Sequence, residues 1–365
     1  MGELRRIEAK IADRRRCRGR GASSLAAGRF ERLRRDAFDD GWDGLDGLPP
    51  FKTEVREERA KTIVSTNSSP DVPFSQSINP YRGCEHGCAY CFARPTHSYW
   101  GYSAGLDFET KLAAKVNAVE LLEAFLAKPA YQVSPIALGV NTDAYQPIEK
   151  TYQLTRQILE VLARSKHPVA LVTKSALVLR DLDILAAMAR EGLVSVAFSI
   201  TTLDHKLSRL LEPRASAPHR RLQALRALHE AGVPTMALVA PVIPQLNDWE
   251  IDSILAAVAD AGVLEAGYVL LRLPHEVRDL FRDWLVEHVP HKAKRVMALL
   301  RSMRGGADYQ PQFGKRMRGE GVYADLIADR FQLAVKRLGL NETRFALRRD
   351  LFEAPVPPGG QLRLF

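Results

Sequence analysis

The stretch GCEHGCAYCFARP at residues 83–95 determines how the rest of this chain is interpreted. It places Cys84, Cys88 and Cys91 within eight residues, after a short apolar run that ends at residues 79–81. The three thiols are therefore expected on a loop that leaves a strand. Closely spaced thiolates are a soft ligand set of the kind that holds iron–sulfur clusters. Three ligands leave one iron of a four-iron cluster open, and an open metal position is where a substrate or cofactor binds.

A structural zinc site is the alternative interpretation of the same cysteines, with His86 or His97 as the fourth ligand. Structural zinc sites usually pair one Cys-x-x-Cys with a second ligand pair further along the chain, and this sequence has no such pair. The only other cysteine is Cys17, so the cysteine count does not indicate a disulfide framework. The free thiols indicate a reducing compartment, and we favour the iron–sulfur interpretation.

The composition is typical of a globular intracellular enzyme. The chain has 365 residues, of which 46% are hydrophobic, enough for one large domain with appendages or for two ordinary domains. No apolar run approaches the ~20 residues that a membrane span needs. The first residues, MGELRRIEAKIADRRR, carry charges where a signal peptide has its apolar stretch. We expect a cytoplasmic protein that does not contact a membrane.

Basic residues are concentrated towards both ends of the sequence. Residues 1–37 carry twelve Arg or Lys against five acidic residues, and residues 291–350 carry fourteen against six. Such regions favour contact with a polyanion, because each phosphate contact releases counterions. The alternative is that they are solvated surfaces that serve solubility. We expect a nucleic acid as a partner, since the bias occurs at both ends.

The order of patterns along the chain predicts an α/β fold. Short β-branched runs are expected to form strands at 76–80, 135–140, 168–173, 194–200, 235–240 and 267–272. Amphipathic segments between them predict helices near 109–127, 149–165, 180–191, 217–231 and 248–261. Six strand–helix units imply a parallel sheet that curls into a partial barrel, a (β/α)6 arrangement with its chemistry at the C-terminal strand ends.

This pattern divides the chain into four parts. We expect a basic N-terminal arm at 1–60, the partial barrel at 61–275, a basic C-terminal helical extension at 276–352 and a Pro/Gly-rich tail at 353–365. Several predicted helices are followed by glycine, at Gly192, Gly232 and Gly262, which is typical of a helix C-terminus.

The Cys-x-x-x-Cys-x-x-Cys spacing, with the aromatic Tyr90 before the last cysteine, resembles the signature of radical S-adenosylmethionine (SAM) enzymes. In that family the open iron chelates the amino and carboxylate groups of SAM, and an electron from the cluster cleaves SAM to methionine and a 5′-deoxyadenosyl radical. Over most of its length the chain is similar to a bacterial group related to spore photoproduct lyase and often called DNA repair photolyase-like. The strings that carry this resemblance are SINPYRGCEHGCAYCFARPTH (77–97), LDFET (106–110), NTDAYQPIEK (141–150), TKS (173–175), RDLD (180–183), SITTLD (199–204), LEPRASAP (211–218), APVIP (240–244) and LRLP (271–274).

The resemblance implies a radical SAM partial barrel, a four-iron–four-sulfur cluster on the three cysteines, SAM as cofactor and a protein that donates electrons. It does not imply a substrate. Spore photoproduct lyase returns a hydrogen atom to its product from a cysteine beyond the cluster motif, and no cysteine follows Cys91 here. Repair of the same thymine dimer by that route is therefore not indicated.

Polar residues at the ends of successive predicted strands are candidate ligands of SAM. The candidates are Tyr90, Asp143, Glu149, Lys174, Ser199, Glu212, Arg214, Pro241 and Ile243. Lys174 and Arg214 can pair with the SAM carboxylate. Asp143, Ser199 and Glu212 can accept hydrogen bonds from its amino group or ribose, and the Pro-Val-Ile-Pro turn offers adenine an apolar wall. Each residue alone has an ordinary structural explanation, but their shared position at one end of the sheet favours a site.

The last five residues form a second motif, QLRLF at 361–365. It resembles the Gln-Leu-x-Leu-Phe peptide by which bacterial polymerases and repair proteins dock on the replicative sliding clamp. In that mode Leu364 and Phe365 fill an apolar cleft, Gln361 hydrogen-bonds at its rim and Leu362 is the remaining matched position. The alternative is that the pentapeptide packs on its own barrel as an ordinary apolar segment.

Three hypotheses of function follow from the sequence. The first is a radical SAM enzyme, of lyase or oxidoreductase type, that acts on nucleic acid, as in DNA repair. The second is the same chemistry on a protein or a small molecule. The third is a clamp-associated DNA-binding protein with a structural cluster, and the open iron and the polar strand ends argue against it.

Overall fold

The computed structural model describes residues 17, 19–25, 29–30 and 51–355. The strands of this part are β1 (Glu54–Glu58), β2 (Val64–Thr66), β3 (Gln76–Ile78), β4 (Tyr81–Arg82), β5 (Lys111–Lys115), β6 (Ile136–Leu138), β7 (Val169–Thr173), β8 (Val194–Ser199), β9 (Thr235–Val242) and β10 (Glu265–Leu270). Its α-helices are α1 (Leu106–Thr110), α2 (Ala118–Leu126), α3 (Glu149–Tyr152), α4 (Leu154–Arg164), α5 (Leu182–Arg190), α6 (His205–Leu211), α7 (Pro218–Glu230), α8 (Ile251–Asp260), α9 (Val277–His288), α10 (Pro290–Ser302) and α11 (Val322–Arg337). Short 3₁₀ helices occur at Arg94–Trp100, Ala176–Asp181 and Asp248–Glu250.

Seven strands form one sheet in the order β10-β9-β8-β7-β6-β3-β2. Neighbouring strands from β3 to β10 are parallel, and β2 runs antiparallel to β3 at one edge. The buried side chains of the strands pack against the helices in one large apolar core. The mixed α/β fold with six parallel strands that the sequence predicts is confirmed, and every one of the six strands lies within its predicted range or within two residues of it. None of the helices in the described ranges is long and apolar enough to span a bilayer.

Glycines end several of the crossover helices, as predicted. Gly192, Gly232 and Gly262 follow α5, α7 and α8 with φ angles of 71°, 75° and 85°. This left-handed conformation is available to glycine without steric cost, and it turns the chain from the helix into the next strand.

The segment at 109–127 differs from its prediction as one helix. Residues Lys111–Lys115 form β5, which separates α1 from α2. Lysine, leucine and alanine favour a helix locally, but β5 lies between β1 and β4 in a second, three-stranded sheet. Backbone pairing on both sides, with Leu112 and its two alanine neighbours buried, outweighs that local preference.

Part of the predicted arm belongs to the folded body. β1 pairs with β5, and both backbone groups of Ala60 bond to the side-chain amide of Asn117, at 2.9 and 3.0 Å. Most of residues 1–50 lies outside the described ranges, so the extent of the arm stays a prediction. The C-terminal helical extension is present as α9, α10 and α11.

A polar contact joins the two edges of the seven-stranded sheet. At one edge, the N–H of Leu270 in β10 donates to the carbonyl of Met317 at 2.9 Å, so the segment 314–319 covers the edge strand. At the other edge, Asp71 lies in the connection between β2 and β3. Its carboxylate accepts from the Gly314 N–H at 2.6 Å and from the Arg316 guanidinium. Asp71 therefore tethers one edge of the open sheet to the segment that covers the other.

Replacing Asp71 with Ala removes the acceptor shared by Gly314 and Arg316. We expect the backbone amides of residues 314–319 to exchange with solvent about tenfold faster or more, because local opening no longer breaks this contact. Hydrogen–deuterium exchange measures this effect peptide by peptide. Peptides from β6 to β9 are the internal control, and unchanged exchange at 314–319 would contradict the tether.

Candidate active site

The three clustered cysteines lie on residues 83–93, here called the cluster loop. The loop leaves β4 of the small sheet, one short strand later than the sequence predicted. Cys84 and Cys88 are buried and Cys91 is half-buried. Cys84 and Cys91 pack against Ala93 and the ring of Phe108, an apolar setting that excludes water.

Burial raises the pKa values of all three thiols, and neighbouring negative charges add to this effect for Cys84 and Cys88. Each of these two thiols also feels the charge of Cys91, so the three sulfur atoms are electrostatic neighbours. Buried thiols in an apolar setting become thiolates only beside positive charge. This donor set fits a metal cluster, which supplies that charge.

The buried guanidinium of Arg94 holds the backbone of the cluster loop. It donates to the carbonyl oxygens of Cys88 at 2.9 Å and Gly87 at 3.1 Å. It also donates to the carbonyls of Ala104 and Gly105, at 3.1 and 2.9 Å. Its charge is balanced by Glu109 at 2.5 Å, and neither side chain is exposed. The planar fork of an arginine can serve all these acceptors at once, which a lysine cannot do.

Glu109 connects this pair to the N-terminal segment 20–24. The carboxylate accepts from the backbone N–H groups of Gly21 and Ala22, both at 2.9 Å. A Cβ on Gly21 would lie 1.6 Å from the carbonyl oxygen of Gly87, so the segment and the cluster loop touch backbone to backbone. Ser24 extends the contact, because its carbonyl accepts from the Leu106 N–H at 3.0 Å.

Two residues of the NTDAYQPIEK string fix the other side of the cluster loop. The side-chain amide of Gln146 accepts from the Glu85 N–H at 2.9 Å and donates to the Gly83 carbonyl at 3.1 Å. Asp143 lies 3.4 Å from the His86 ring and accepts from the Lys174 N–H at 2.7 Å. Burial opposes the charge of Asp143, but His86 and the N–H donors outweigh it and lower the pKa to about 2. A charged Asp143 therefore joins the loop to the end of β7.

A buried network lies behind Tyr90. Its hydroxyl donates to Glu212, which also accepts from Thr201 at 2.6 Å and pairs with the buried Arg221. Arg221 donates in turn to the Ser199 carbonyl at 2.9 Å. The network connects the cluster loop to the end of β8 and to the segment after α6.

Lys174 contrasts with these paired residues. Its charge partly offsets the burial that raises the pKa values of Cys88 and Cys91, and it contributes to the lowered pKa of Glu212, so the ammonium group lies near the cluster loop. Among the residues that the structure describes, it has no ion-pair partner within 4.0 Å. The end of β7 thus presents a cation that is free to bind an anionic group.

Comparison with known proteins identifies the family. Residues 78–258 match the family model described as the radical SAM superfamily. An uncharacterized protein of Mycobacterium tuberculosis is 38% identical over 265 residues, which cover 72% of this chain and 76% of the relative. An uncharacterized protein of Methanocaldococcus jannaschii is 30% identical over 199 residues, which cover 54% of this chain and 71% of the relative. The chain belongs to the radical SAM superfamily.

A solved structure shares the fold. Spore photoproduct lyase complexed with dinucleoside spore photoproduct superposes with a TM-score of 0.58 at 17% sequence identity, covering 78% of this chain and 80% of that chain. Radical SAM proteins are enzymes that use a four-iron–four-sulfur cluster and SAM, and the cofactors predicted from the sequence are confirmed at the level of the family.

The fit of this chain to those cofactors rests on the buried thiols and on the strand ends. Lys174 places a cation without an ion-pair partner in the described ranges beside the cluster loop. The Ser199 hydroxyl at the end of β8 has no hydrogen-bond partner within the described ranges. Pro241 and Ile243 are buried at the end of β9, where the Asn247 amide holds their backbone. β9 extends to Val242, so the predicted turn begins at Ile243, two residues beyond Pro241.

Two of the predicted SAM ligands bind other groups of the protein in the structure. Glu149 is fully buried and its carboxylate is occupied by Tyr81, by Arg180 at 2.6 Å and by the Thr155 N–H at 3.0 Å. Arg214 pairs with Glu85 of the cluster loop at 2.9 Å. Both residues stabilise the scaffold, and neither presents a free charge to a cofactor. Glu212 and Asp143 are likewise engaged within the protein.

The histidines proposed for a zinc site also have other partners. Nε2 of His97 bonds to the Lys111 carbonyl at 2.8 Å, and its ring also interacts with the backbone of Asp107. His86 faces Asp143. In the described ranges, no group of three or more His, Cys, Asp or Glu side chains is placed to hold a single metal ion.

Four further features of the site were not predicted from the sequence: Arg94, Glu109, Gln146 and the N-terminal segment 20–24. Arg94 and Glu109 lie inside strings that carry the family resemblance, FARP and LDFET. Their place in these strings was a signal that the two residues matter for the site, because few residues of such strings are purely surface residues. No local pattern indicates that Gly21 touches Gly87, since that contact depends on the tertiary fold.

The first prediction for this site replaces Gly21 with Ala. The new methyl group meets the Gly87 carbonyl, a backbone atom that cannot rotate away, so we expect a loss of about 1–3 kcal/mol in the free energy of unfolding. Urea unfolding and iron content after anaerobic reconstitution measure the effect. Gly267→Ala is the matched control, because its Cβ would make only ordinary contacts at 3.4 and 3.5 Å. Equal behaviour of the two variants would contradict the docking of segment 20–24.

A second prediction is that replacing Lys174 and replacing Arg214 have different effects on SAM binding. We expect Lys174→Ala to weaken SAM binding by roughly 1.5–3 kcal/mol, the value of a charge-assisted hydrogen bond, with an unchanged cluster spectrum. Arg214→Ala leaves Glu85 unpaired and should alter SAM affinity by less than about 0.5 kcal/mol. Equilibrium binding of SAM to the reconstituted protein measures both. Equal losses in the two variants would restore the sequence-based assignment of Arg214.

Proposed function

We propose that the protein is a radical SAM enzyme that acts on nucleic acid in a repair-like reaction. The observation that supports this chemistry is the cluster loop, where two buried thiols and one half-buried thiol lie beside the free Lys174 cation. Cys84, Cys88 and Cys91 would hold the cluster. When bound, the cluster and SAM would supply radical chemistry by hydrogen-atom abstraction, with the electron provided by a separate donor protein.

The residues of the chain position and protect these groups. Lys174 pairs with the SAM carboxylate, Ser199 offers a hydroxyl to its amino group or ribose, and Ile243 contributes an apolar wall for adenine. Tyr90 is held by Glu212 and keeps the cluster loop against the strand ends. Arg94 holds the carbonyls of Gly87 and Cys88, and the packing of Phe108 limits access of water.

The charge distribution supports nucleic acid as the substrate, although less evenly than the sequence suggests. Six of the fourteen basic residues of 291–350 form ion pairs with acidic side chains. The positive charge that residues 291–350 can offer to a polyanion is therefore smaller than their sequence suggests. The shared fold adds support, since spore photoproduct lyase is seen with a dinucleoside photoproduct. A protein or small-molecule substrate is the alternative, and a separate protein is expected to donate the electron.

The nucleic-acid proposal predicts binding that weakens steeply with salt. We expect tight binding of single- or double-stranded DNA at low salt, with each lost phosphate contact reducing the slope by about 0.9 on double-stranded DNA. Deleting residues 1–16 should lower both affinity and slope, and it spares segment 20–24, which contacts Glu109. Fluorescence anisotropy across a salt series measures both quantities.

A matched control changes arginines that are already paired. Arg164→Gln with Arg226→Gln removes two exposed charges that pair with Glu123 and Asp260. This variant should keep the affinity and salt slope of the unaltered protein. SAM cleavage is then compared with and without DNA. If the unaltered protein binds no DNA at low salt while still cleaving SAM, the substrate is a protein or a small molecule.

We also propose that the tail binds a bacterial sliding clamp. Residues 361–365 lie outside the described ranges, so the proposal rests on the QLRLF motif and its Pro/Gly-rich approach. A synthetic peptide of residues 353–365 should bind the clamp with an affinity near micromolar, about −8 kcal/mol.

Changing Leu364 and Phe365 to Ala in the full chain tests whether the tail acts independently of the barrel. The two side chains supply most of the apolar area, at about 1.5–3 kcal/mol each, so docking on the clamp should be abolished. SAM cleavage should be unchanged. A double variant that loses SAM cleavage would show that the tail packs on its own enzyme.

A further inference from the structure

Arg272 is a cation without a counter-ion at the end of β10. It follows the strand by two residues, at the edge of the sheet where the parallel strands end. Its Nε is buried and has no hydrogen-bond partner, and its Nη1 lies 3.6 Å from the sulfur of Met317. Within the described ranges it forms no ion pair. A guanidinium is rarely left in this state, because burying its donors without acceptors is unfavourable.

Neither Asp71 nor Glu276 forms an ion pair with Arg272. Asp71 feels the charge of Arg272 but is bound by Gly314 and Arg316. Glu276, four residues further along, accepts from Ser98 at 3.3 Å through one oxygen, while its other oxygen is buried and has no partner. Neither residue neutralises Arg272.

A second buried arginine makes the region more positive. Arg304 donates only to carbonyl oxygens, those of Leu271 at 2.9 Å, Lys315 at 2.9 Å and Arg316 at 2.8 Å. Burial, followed by the charge of Arg272, lowers the pKa of Arg304 to about 10. These two neighbouring guanidiniums have no ion-pair partner among the residues that the structure describes, and an incoming anion would relieve their repulsion.

The contact with Phe92 shows that the Arg272 side chain lies beside the cluster loop. It follows Cys91 directly, and the Arg272 guanidinium lies 5.3 Å from the centre of its ring. The side chain is 45% exposed although it adjoins a buried metal-binding loop. An exposed aromatic ring next to an unpaired arginine is the combination that binds nucleotides, through stacking of the base and a charge-assisted bond to the phosphate.

We propose that Arg272 and Phe92 form a subsite for one nucleotide of the substrate, with its phosphate against the guanidinium and its base against the ring. This inference rests on the proposed function, because it assumes a nucleic-acid substrate. It also specifies the direction from which the substrate reaches the cluster loop, which is the edge of the sheet at β10.

The test uses the full-length protein with its cluster reconstituted and SAM present. Its ligands are the four homodinucleotides, each made with a natural phosphodiester and with a neutral methylphosphonate linkage. The unaltered protein should bind the phosphodiesters about tenfold tighter or more, as expected for a charge-assisted contact. Arg272→Gln should remove this preference. Phe92→Leu should weaken binding of both linkages about fivefold or more, because stacking does not depend on the charge of the linkage.

Arg278→Gln is the control, because Arg278 is an exposed arginine that pairs with Asp279 at 2.9 Å. It should keep the full preference for the phosphodiester. Thermal unfolding separates binding from structure: Arg272→Gln should leave the unfolding temperature unchanged or higher, since an uncompensated buried cation is removed. A fall of several degrees would assign Arg272 a structural role and overturn the subsite.

The remaining outcomes distinguish this inference from the function on which it rests. If longer DNA binds with a steep salt dependence but the dinucleotides show no preference for phosphodiester, or Arg272→Gln keeps that preference, the subsite is wrong and the nucleic-acid proposal stands. If no DNA binds at low salt, both are wrong.

Discussion

The buried ion pair between Arg94 and Glu109 is the interaction on which the rest of the site depends. A loop that presents three thiols towards a cluster must direct its carbonyl oxygens elsewhere. The Arg94 guanidinium donates hydrogen bonds to the carbonyl oxygens of Gly87 and Cys88. Neither charge is exposed, so removal of one partner would leave the other buried and unpaired, at a cost of about 3–5 kcal/mol. Through Glu109 the same pair anchors Gly21, and thus the N-terminal segment, to the loop.

The strand-end residues divide into two groups with different roles. Asp143, Gln146 and Glu212 bind other parts of the protein and fix the position of the cluster loop. Lys174 and Ser199 lack such partners within the described ranges and remain available to a cofactor. Most of the polar strand-end residues thus build a rigid frame, and few side chains are left for the cofactor itself.

The alternation of apolar runs with amphipathic segments was enough to predict the six parallel strands, because each strand has a buried face and an apolar sequence, which is a strong local signal. The segment Lys111–Lys115 was predicted as helix because its strand conformation depends on β1 and β4, which are distant in sequence. The spacing of the three cysteines alone was enough to predict a cluster site. The partners of Glu149 and Arg214 were not, because a free and a paired charge look the same in a sequence.

The central claim is that Cys84, Cys88 and Cys91 hold a redox-active cluster that cleaves SAM. It is tested most directly by anaerobic reconstitution, iron determination and measurement of 5′-deoxyadenosine after reduction in the presence of SAM. The account predicts about four irons per chain and release of 5′-deoxyadenosine, both lost in Cys91→Ala and both kept in Cys17→Ala. One stoichiometric zinc ion, or no 5′-deoxyadenosine under strong reductant, would contradict it.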